Sequence, residues 1–376
     1  MLRARFLRDS TGRWMQYIPL DRSNSHAYQV LHVSDVDEIK PFTAPNQDGF
    51  DLEHGPLLRA IIFVLSNGDR YLALTVHHMI IDTVSWRILL QDLQQGLSSG
   101  EISSRPSDSF ARWCRRLKDH AENKWTPESV LPFTVPTPRY DYWAMDESMN
   151  LFHTETIQQF TLDTATTSLL MGSCNKRFQT KPLDIFLAAV FHAFGATFTD
   201  RALPAIFIYS HGRDEFGAEL DVSNTIGWFT SSTPVLIRSS TNLLDNLQNV
   251  RSVRAQVPGN GVPYWATRWL TEAGQAAFAH HSPFELSLNY LGQYQQLERD
   301  DSVLRYVDVE KPKADGSGAL LRRTALVETQ AIVIGEELQI KFVYNARMAR
   351  QQELLVWQAR VKEALLEIAG SLGADS

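Results

Sequence analysis

Apolar residues recur along this chain at two periods, and the switch between them separates strands from helices. Leu58 to Leu65 is a short continuous apolar run, Ser66-Asn67-Gly68-Asp69 supplies turn residues, and Tyr71 to Val76 is a second run. Together they predict a β-hairpin that ends on His77 and His78. After Asp82 the spacing of Trp86, Leu89, Leu90 and Leu93 is helical, predicting a helix that begins just past the histidines and stops near Gly96. From about Pro127 to Met149 the pattern lapses, with Pro132, Pro136 and Pro138 closely spaced, and this stretch reads as a connection between lobes. Beyond it, Thr156 to Leu162 alternates as a strand, Leu183 to Phe198 reads as a buried helix, and Ala205–Ile208 and Pro234–Ile237 carry strand signals. A late hairpin, Ala325–Ile334 and Leu338–Tyr344, turns at Gly335-Glu336, and an amphipathic helix runs from about Arg350 to Ile368. No repeat of 20–50 residues appears. The pattern predicts a mixed α/β protein of two lobes, residues 1–140 and 141–376.

Composition narrows the function classes. A chain of 376 residues, 44% hydrophobic and 21% charged, has the length for two cores. Its formal charge of −7 leaves none of the basic footprint a nucleic-acid partner requires, and no lysine-rich face argues for a membrane surface. Cys114 and Cys174 stand far apart without metal-ligand spacing, so neither a disulfide framework nor a zinc site is expected. The N-terminal residues lack an apolar signal region, and a cytosolic setting is expected.

The chemistry concentrates in His77-His78-Met-Ile-Ile-Asp82-Thr-Val-Ser85-Trp86. A histidine fixed at a strand end, with an aspartate four residues on at the turn into a helix, suits a rigidly held acid/base. The aspartate can anchor the loop rather than titrate. Taken by itself such a pair is more often one packed and one solvated imidazole.

This segment resembles the His-His-x-x-x-Asp signature of condensation-type domains, and its continuation Val84-Ser-Trp-Arg-Ile-Leu-Leu-Gln-Asp-Leu93 resembles the epimerization branch of fungal nonribosomal peptide synthetases. Further segments match that branch in order: Leu183-Asp-Ile-Phe-Leu-Ala188, Ser210-His-Gly-Arg-Asp214, Asn224-Thr-Ile-Gly-Trp-Phe-Thr-Ser-Ser-Thr-Pro234, Val257-Pro-Gly-Asn-Gly-Val-Pro-Tyr264 and Leu288-Asn-Tyr-Leu-Gly-Gln293. The resemblance implies two chloramphenicol-acetyltransferase-like lobes in a V with an active-site tunnel between them. It implies a substrate carried as an aminoacyl or peptidyl thioester on the phosphopantetheine arm of a peptidyl carrier protein, with no bound cofactor or metal. It gives catalytic roles to His78, Tyr209 and Tyr290, and structural roles to His77, Asp82 and Arg213, with Asp82 and Arg213 ion-paired. Ser85, Trp86, His211, Trp228, Thr230 and Asn289 are expected to line the tunnel, although Trp228, Phe229, Asn289 and Tyr290 could equally serve packing alone.

Two departures limit what carries over. The family's His-Gly-Arg box opens with a glutamate expected to be the second acid/base; here that position is Tyr209, a residue that titrates near 10 and can donate a proton but is no carboxylate. Asp214 and Glu215 lie beyond the box. Met1-Leu-Arg-Ala-Arg-Phe6 also resembles the strand after the family's first helix. The opening strand–helix–strand unit is therefore expected to be missing, either because Met1 is the native start of a stand-alone relative or because the gene model is truncated, with a sheet edge or apolar patch exposed or covered by a partner or a second copy in a homodimer. Three readings follow: an epimerase, a repurposed scaffold for acyl transfer or cyclisation of a small-molecule intermediate, and a non-catalytic domain that docks a carrier protein.

Overall fold

The expected hairpin at 58–76 forms, and it anchors a three-stranded sheet. The structure, a computed structural model, describes residues 1–21, 23–43, 50–102, 107–213, 220–293, 302–305, 307 and 320–372. It divides into two compact units: Met1–Cys114, Glu215–Phe229 and Asp300–Leu320 form the first, and Arg115–Asp214, Thr230–Arg299 and Leu321–Ser376 the second. The chain passes between the two units several times, and the Trp228-Phe229 segment belongs to the first.

In the first unit, β1 (Arg5–Arg8) and β2 (Trp14–Tyr17) pair antiparallel. The larger sheet is β3 (Ala27–Val33), β4 (Leu58–Leu65) and β5 (Arg70–Val76), with β3 parallel and β5 antiparallel to β4. Ile61, Phe63 and Leu65 pack with Ile39 on one face. On the other, Tyr28, Val30 and Leu72 are exposed, so the continuous apolar run of β4 sits in a sheet covered more fully on one side. Helix α1 (Thr83–Ser99) follows β5 and ends at Gly100, whose φ of 75° closes the helix in the left-handed region. Helix α2 (Phe110–Asn123) carries the chain across into the second unit.

The second unit is built on six strands in the order β6-β11-β10-β9-β7-β8. These are β6 (Glu155–Leu162), β7 (Ile206–Ser210), β8 (Ser231–Val235), β9 (Phe284–Gln293), β10 (Ala325–Ile334) and β11 (Glu337–Asn345). The β10–β11 hairpin turns at Gly335-Glu336, where both residues have positive φ, as a two-residue turn joining right-twisted strands requires. Helix α3 (Pro182–Thr197) and helix α4 (Gln351–Gly370) contribute apolar residues to the large core on one face, which holds Phe186, Phe194, Leu288, Phe342 and Trp357. The proline-spaced stretch 127–149 is more than a connection: Val130, Val135, Trp143 and Met145 are buried in the cores of this unit. Among the described residues no helix is long and apolar enough to cross a membrane.

Candidate functional site

The His-His-x-x-x-Asp segment sits in the first unit as a short, closely tied turn. β5 ends at Val76, His77 caps a single 3-10 turn (His78–Ile80), and Asp82 caps α1. Ile80 and Ile81, 0% and 1% exposed, pin the turn from within and leave the imidazole of His78 exposed. His77 is the packed member of the pair. Its Nδ1 accepts from the Met79 amide at 3.2 Å, and its ring meets Phe50 edge-on at 5.8 Å. Burial, and secondarily the charge of His78, push its pKa below the usual histidine value.

Asp82, 2% exposed, holds two pieces of chain together. Its Oδ1 accepts from the Ser85 amide at 2.7 Å, which caps α1, and its Oδ2 accepts from the Phe229 amide at 3.0 Å. Ser85, fully buried, repeats the tie: its hydroxyl donates to the Gly227 carbonyl at 2.9 Å and accepts from the Gly227 amide at 3.0 Å. Residue 227 has to be glycine, since an added Cβ would come within 2.5 Å of the Phe110 ring. Trp228, held between these ties, stacks on His78 with ring centres 4.7 Å apart and planes 28° from parallel. Trp86 lies half-buried in the first turn of α1, its amide bonded to the Asp82 carbonyl at 3.0 Å. The segment is secured again upstream, where Asp108 accepts from the Asp221 amide at 2.9 Å and its own amide donates to the Asp221 carbonyl at 2.6 Å.

This arrangement can do one thing well. It presents a single exposed imidazole in a fixed orientation, beside a π face that attracts the cation formed when the ring takes a proton. Asp82 accepts from a backbone amide through each of its oxygens and so serves as a clamp.

The other expected residues, Tyr209, His211, Arg213, Thr230, Asn289 and Tyr290, belong to the second unit. His211 Nδ1 accepts from the Arg213 amide at 3.1 Å, which folds the His-Gly-Arg turn around Gly212 at φ 61°. Thr230 precedes β8, half-buried. Asp214 and Glu215 lie outside the described residues. Tyr209 and Tyr290 are directed to opposite faces of the six-stranded sheet. Ile206 and Ile208 point with Leu286 and Leu288 into the helix-covered core, and Phe207 points away from it. Strand alternation then puts Tyr209 on the Phe207 face and Tyr290 on the helical face, where its ring meets Phe186 at 5.3 Å. Asn289 falls on the Tyr209 face.

That face holds groups the motifs did not single out. Tyr209 hydroxyl lies 3.3 Å from Thr324 Oγ1 and opposite Ser232 on β8. In register, Ser287 on β9 stands beside Phe207 on one side and Glu328 on β10 on the other. On this face the hydroxyls of Ser232 and Ser287 are buried and, among the described residues, within hydrogen-bond distance of no partner, while those of Ser231 and Thr233, also buried and unpartnered, alternate to the helix-covered face. Leaving such a group unpaired costs about 1–3 kcal/mol, so this strip is held at some expense. A buried strand reading Ser231-Ser-Thr233 was the available signal. Burial chiefly, with Glu328 adding to it, raises the Tyr209 pKa above the usual phenol value, while the Thr324 and Ser287 hydroxyls and Arg323 act against the rise. Tyr209 is thus neutral at physiological pH and able to donate.

Two further polar clusters in this unit are saturated. Glu285 pairs with both Arg201 nitrogens, at 2.5 and 3.1 Å, and accepts from Trp143 Nε1 and the Arg139 amide, beside a cavity of about 220 Å³ that none of the expected site residues line. His281 is bonded to the Tyr264 hydroxyl at 2.9 Å, which in turn accepts from Arg268 at 3.1 Å. Among the described residues no group of three acidic, histidine or cysteine side chains could hold a metal ion.

Comparison with known proteins gives these features a context. A family model described as Condensation domain matches residues 1–373. Nonribosomal peptide synthetase 4 of Gibberella zeae is 37% identical over 388 residues, covering 100% of this chain and 5% of the relative. Nonribosomal peptide synthetase 5 of the same organism is 39% identical over 378 residues, covering 98% and 3%. The chain thus spans about a twentieth or less of the length of these relatives. Among solved structures, the epimerization domain from the third module of tyrocidine synthetase B superposes with a TM-score of 0.81 at 23% identity, covering 98% of this chain and 85% of that one. The first condensation domain of the calcium-dependent antibiotic synthetase in complex with a substrate analogue gives 0.62 at 16% identity, covering 98% and 84%.

Proposed function

The chain belongs to the condensation-domain family, and from that premise we propose that it epimerizes the α-carbon of an aminoacyl or peptidyl group held as a thioester on the phosphopantetheine arm of a carrier protein. The observation that carries the reading is the exposed imidazole of His78, clamped through Asp82 and Ser85 and stacked on Trp228. The ordered motifs of the epimerization branch support it, as does the fold shared with a solved epimerization domain.

A thioester acidifies its α-carbon, so the reaction asks for a positioned base and little else. His78 takes the α-proton as the C–H bond breaks, and the charge passes onto the thioester oxygen. Reprotonation from the opposite face completes inversion. Tyr209, neutral and half-buried, is suited to give that proton. A positioned base of this kind is worth about 10²–10⁴-fold.

The absence of a carboxylate at position 209 favours a second reading, in which His78 deprotonates an amine or alcohol for acyl transfer or cyclisation. The two are separated by incubating the protein with carrier proteins loaded with L- and D-amino acids in deuterated water and reading mass and chirality. Deuterium uptake with inversion, abolished by His78→Ala, is the expected result. Neither uptake nor inversion on any loaded carrier would give the second reading the lead.

A further inference from the structure

Tyr209 by itself can donate a proton but makes a poor base, so a two-directional epimerase needs a carboxylate within reach of it. Glu328 stands on the same face of the sheet. Successive registers run from Glu328 on β10 to Ser287 on β9 and from Ser287 to Phe207 on β7, and Tyr209 is the next residue of β7 on that face. The Ser287 hydroxyl between them is 1% exposed, has no partner at full hydrogen-bond distance among the described residues, and already acts on the Tyr209 hydroxyl. Glu328 is itself steadied by Gln330 Nε2 at 2.9 Å. The other charged and titratable groups around the pair are Arg323, whose buried guanidinium acts on both Tyr209 and Glu328, and Tyr140 and Glu155, which act on Arg323.

We propose that Glu328 is the carboxylate that serves Tyr209, acting through the hydroxyls of Ser287 and Tyr209 as a positioning residue for proton transfer. The inference rests on the epimerase reading. In the removing direction the substrate Cα–H bond breaks and its proton goes to the Tyr209 oxygen. Tyr209 passes its own proton to Ser287, Ser287 passes its proton to Glu328, and the carboxylate becomes a carboxylic acid. In the donating direction every transfer runs backwards. No oxidant, metal or further reactant is needed, and both hydroxyls end as they began.

The test uses the full chain and carrier proteins loaded with L- and D-forms of one amino acid. Deuterium wash-in from the two enantiomers reports the two directions separately. Glu328→Gln and Ser287→Ala should slow proton removal from one enantiomer roughly tenfold or more and leave the other within about twofold, and Glu328→Asp should recover part of the loss. Ser287→Ala deletes an unpartnered hydroxyl, so thermal unfolding should show it fully folded. A readout free of turnover is the ultraviolet titration of Tyr209, taken as wild type minus Tyr209→Phe: with Glu328→Gln the ionisation should move to lower pH. Equal rates for both enantiomers in Glu328→Gln, or an unmoved Tyr209 titration, would overturn the relay while the epimerase reading stands. If wild type washes in no deuterium from either enantiomer, both fall together.

Discussion

The His78 turn in the first unit and the Tyr209 strip in the second hold their polar groups in two different ways. Around His78 the neighbouring polar groups of the motif are bonded: Asp82 holds two amides, Ser85 holds both polar groups of Gly227, and His77 accepts from Met79. Around Tyr209 the hydroxyls of Ser232 and Ser287 are buried without a partner among the described residues. The first is a rigid mount for one side chain. The second carries unspent hydrogen-bonding capacity, which is what a group that must pass or orient protons can use and a structural anchor cannot.

The largest effect that could break this contrast is on chemistry. His78→Ala should reduce α-proton exchange by about 10²–10⁴-fold with unfolding nearly unchanged, because the ring is exposed. A large loss of stability would mean that the imidazole is part of the clamp. Asp82→Ala should do the reverse in emphasis. Removing a carboxylate that serves two buried amides leaves the Phe229 amide unpaired and α1 uncapped, a loss of roughly 3 kcal/mol readable in denaturant unfolding. Unchanged stability with lowered turnover would turn Asp82 from clamp into participant.

A pair of serines sharpens the comparison further. Ser85→Ala should cost roughly 2 kcal/mol, since two hydrogen bonds to Gly227 vanish, whereas Ser232→Ala should be neutral or slightly stabilising. Equal costs would show that the strip around Tyr209 is as fully bonded as the turn. Gly227→Ala should cost about 1–3 kcal/mol by pressing on Phe110 and should also disturb the Trp228–His78 stack.

A last handle is acid, acting through a buried histidine of the second unit. His281 is 2% exposed, and burial, followed by the charges of His280 and Arg268, lowers its pKa to about 3. The unfolded chain binds this proton near pH 6.5, so the stabilising contribution is complete above that value and fades as pH falls toward 3. At pH 5 the loss is about 2 kcal/mol, and His281→Gln should flatten that part of the profile. A slope that survives the substitution would assign it to other groups.

The contrast also explains what the sequence could tell. Both hairpins and the helices that follow β5 and begin near Arg350 were legible because turn residues and local periodicity define them within a few positions. The His78 turn was legible for the same reason. The role of Trp228 was not: it depends on ties from Asp82 and Ser85 across 147 and 142 residues, which no local pattern encodes. The buried anchors Val130, Val135, Trp143 and Met145 were not legible, because they stand singly among exposed residues and closely spaced prolines. The opposite orientations of Tyr209 and Tyr290 follow from strand register, fixed only once β7 and β9 are paired.

The clamp at Asp82 also sets a clock on biosynthesis. Its second amide belongs to Phe229, 147 residues further along. A ribosome adding roughly 5–20 residues per second needs about 7–30 s to reach it. Until then the chain contains only one of the two amides that Asp82 holds in the finished protein, that of Ser85. The mount for His78 is therefore finished late, after much of the second unit has been made, and a nascent chain halted before Phe229 would carry the histidine motif without the geometry that makes it useful.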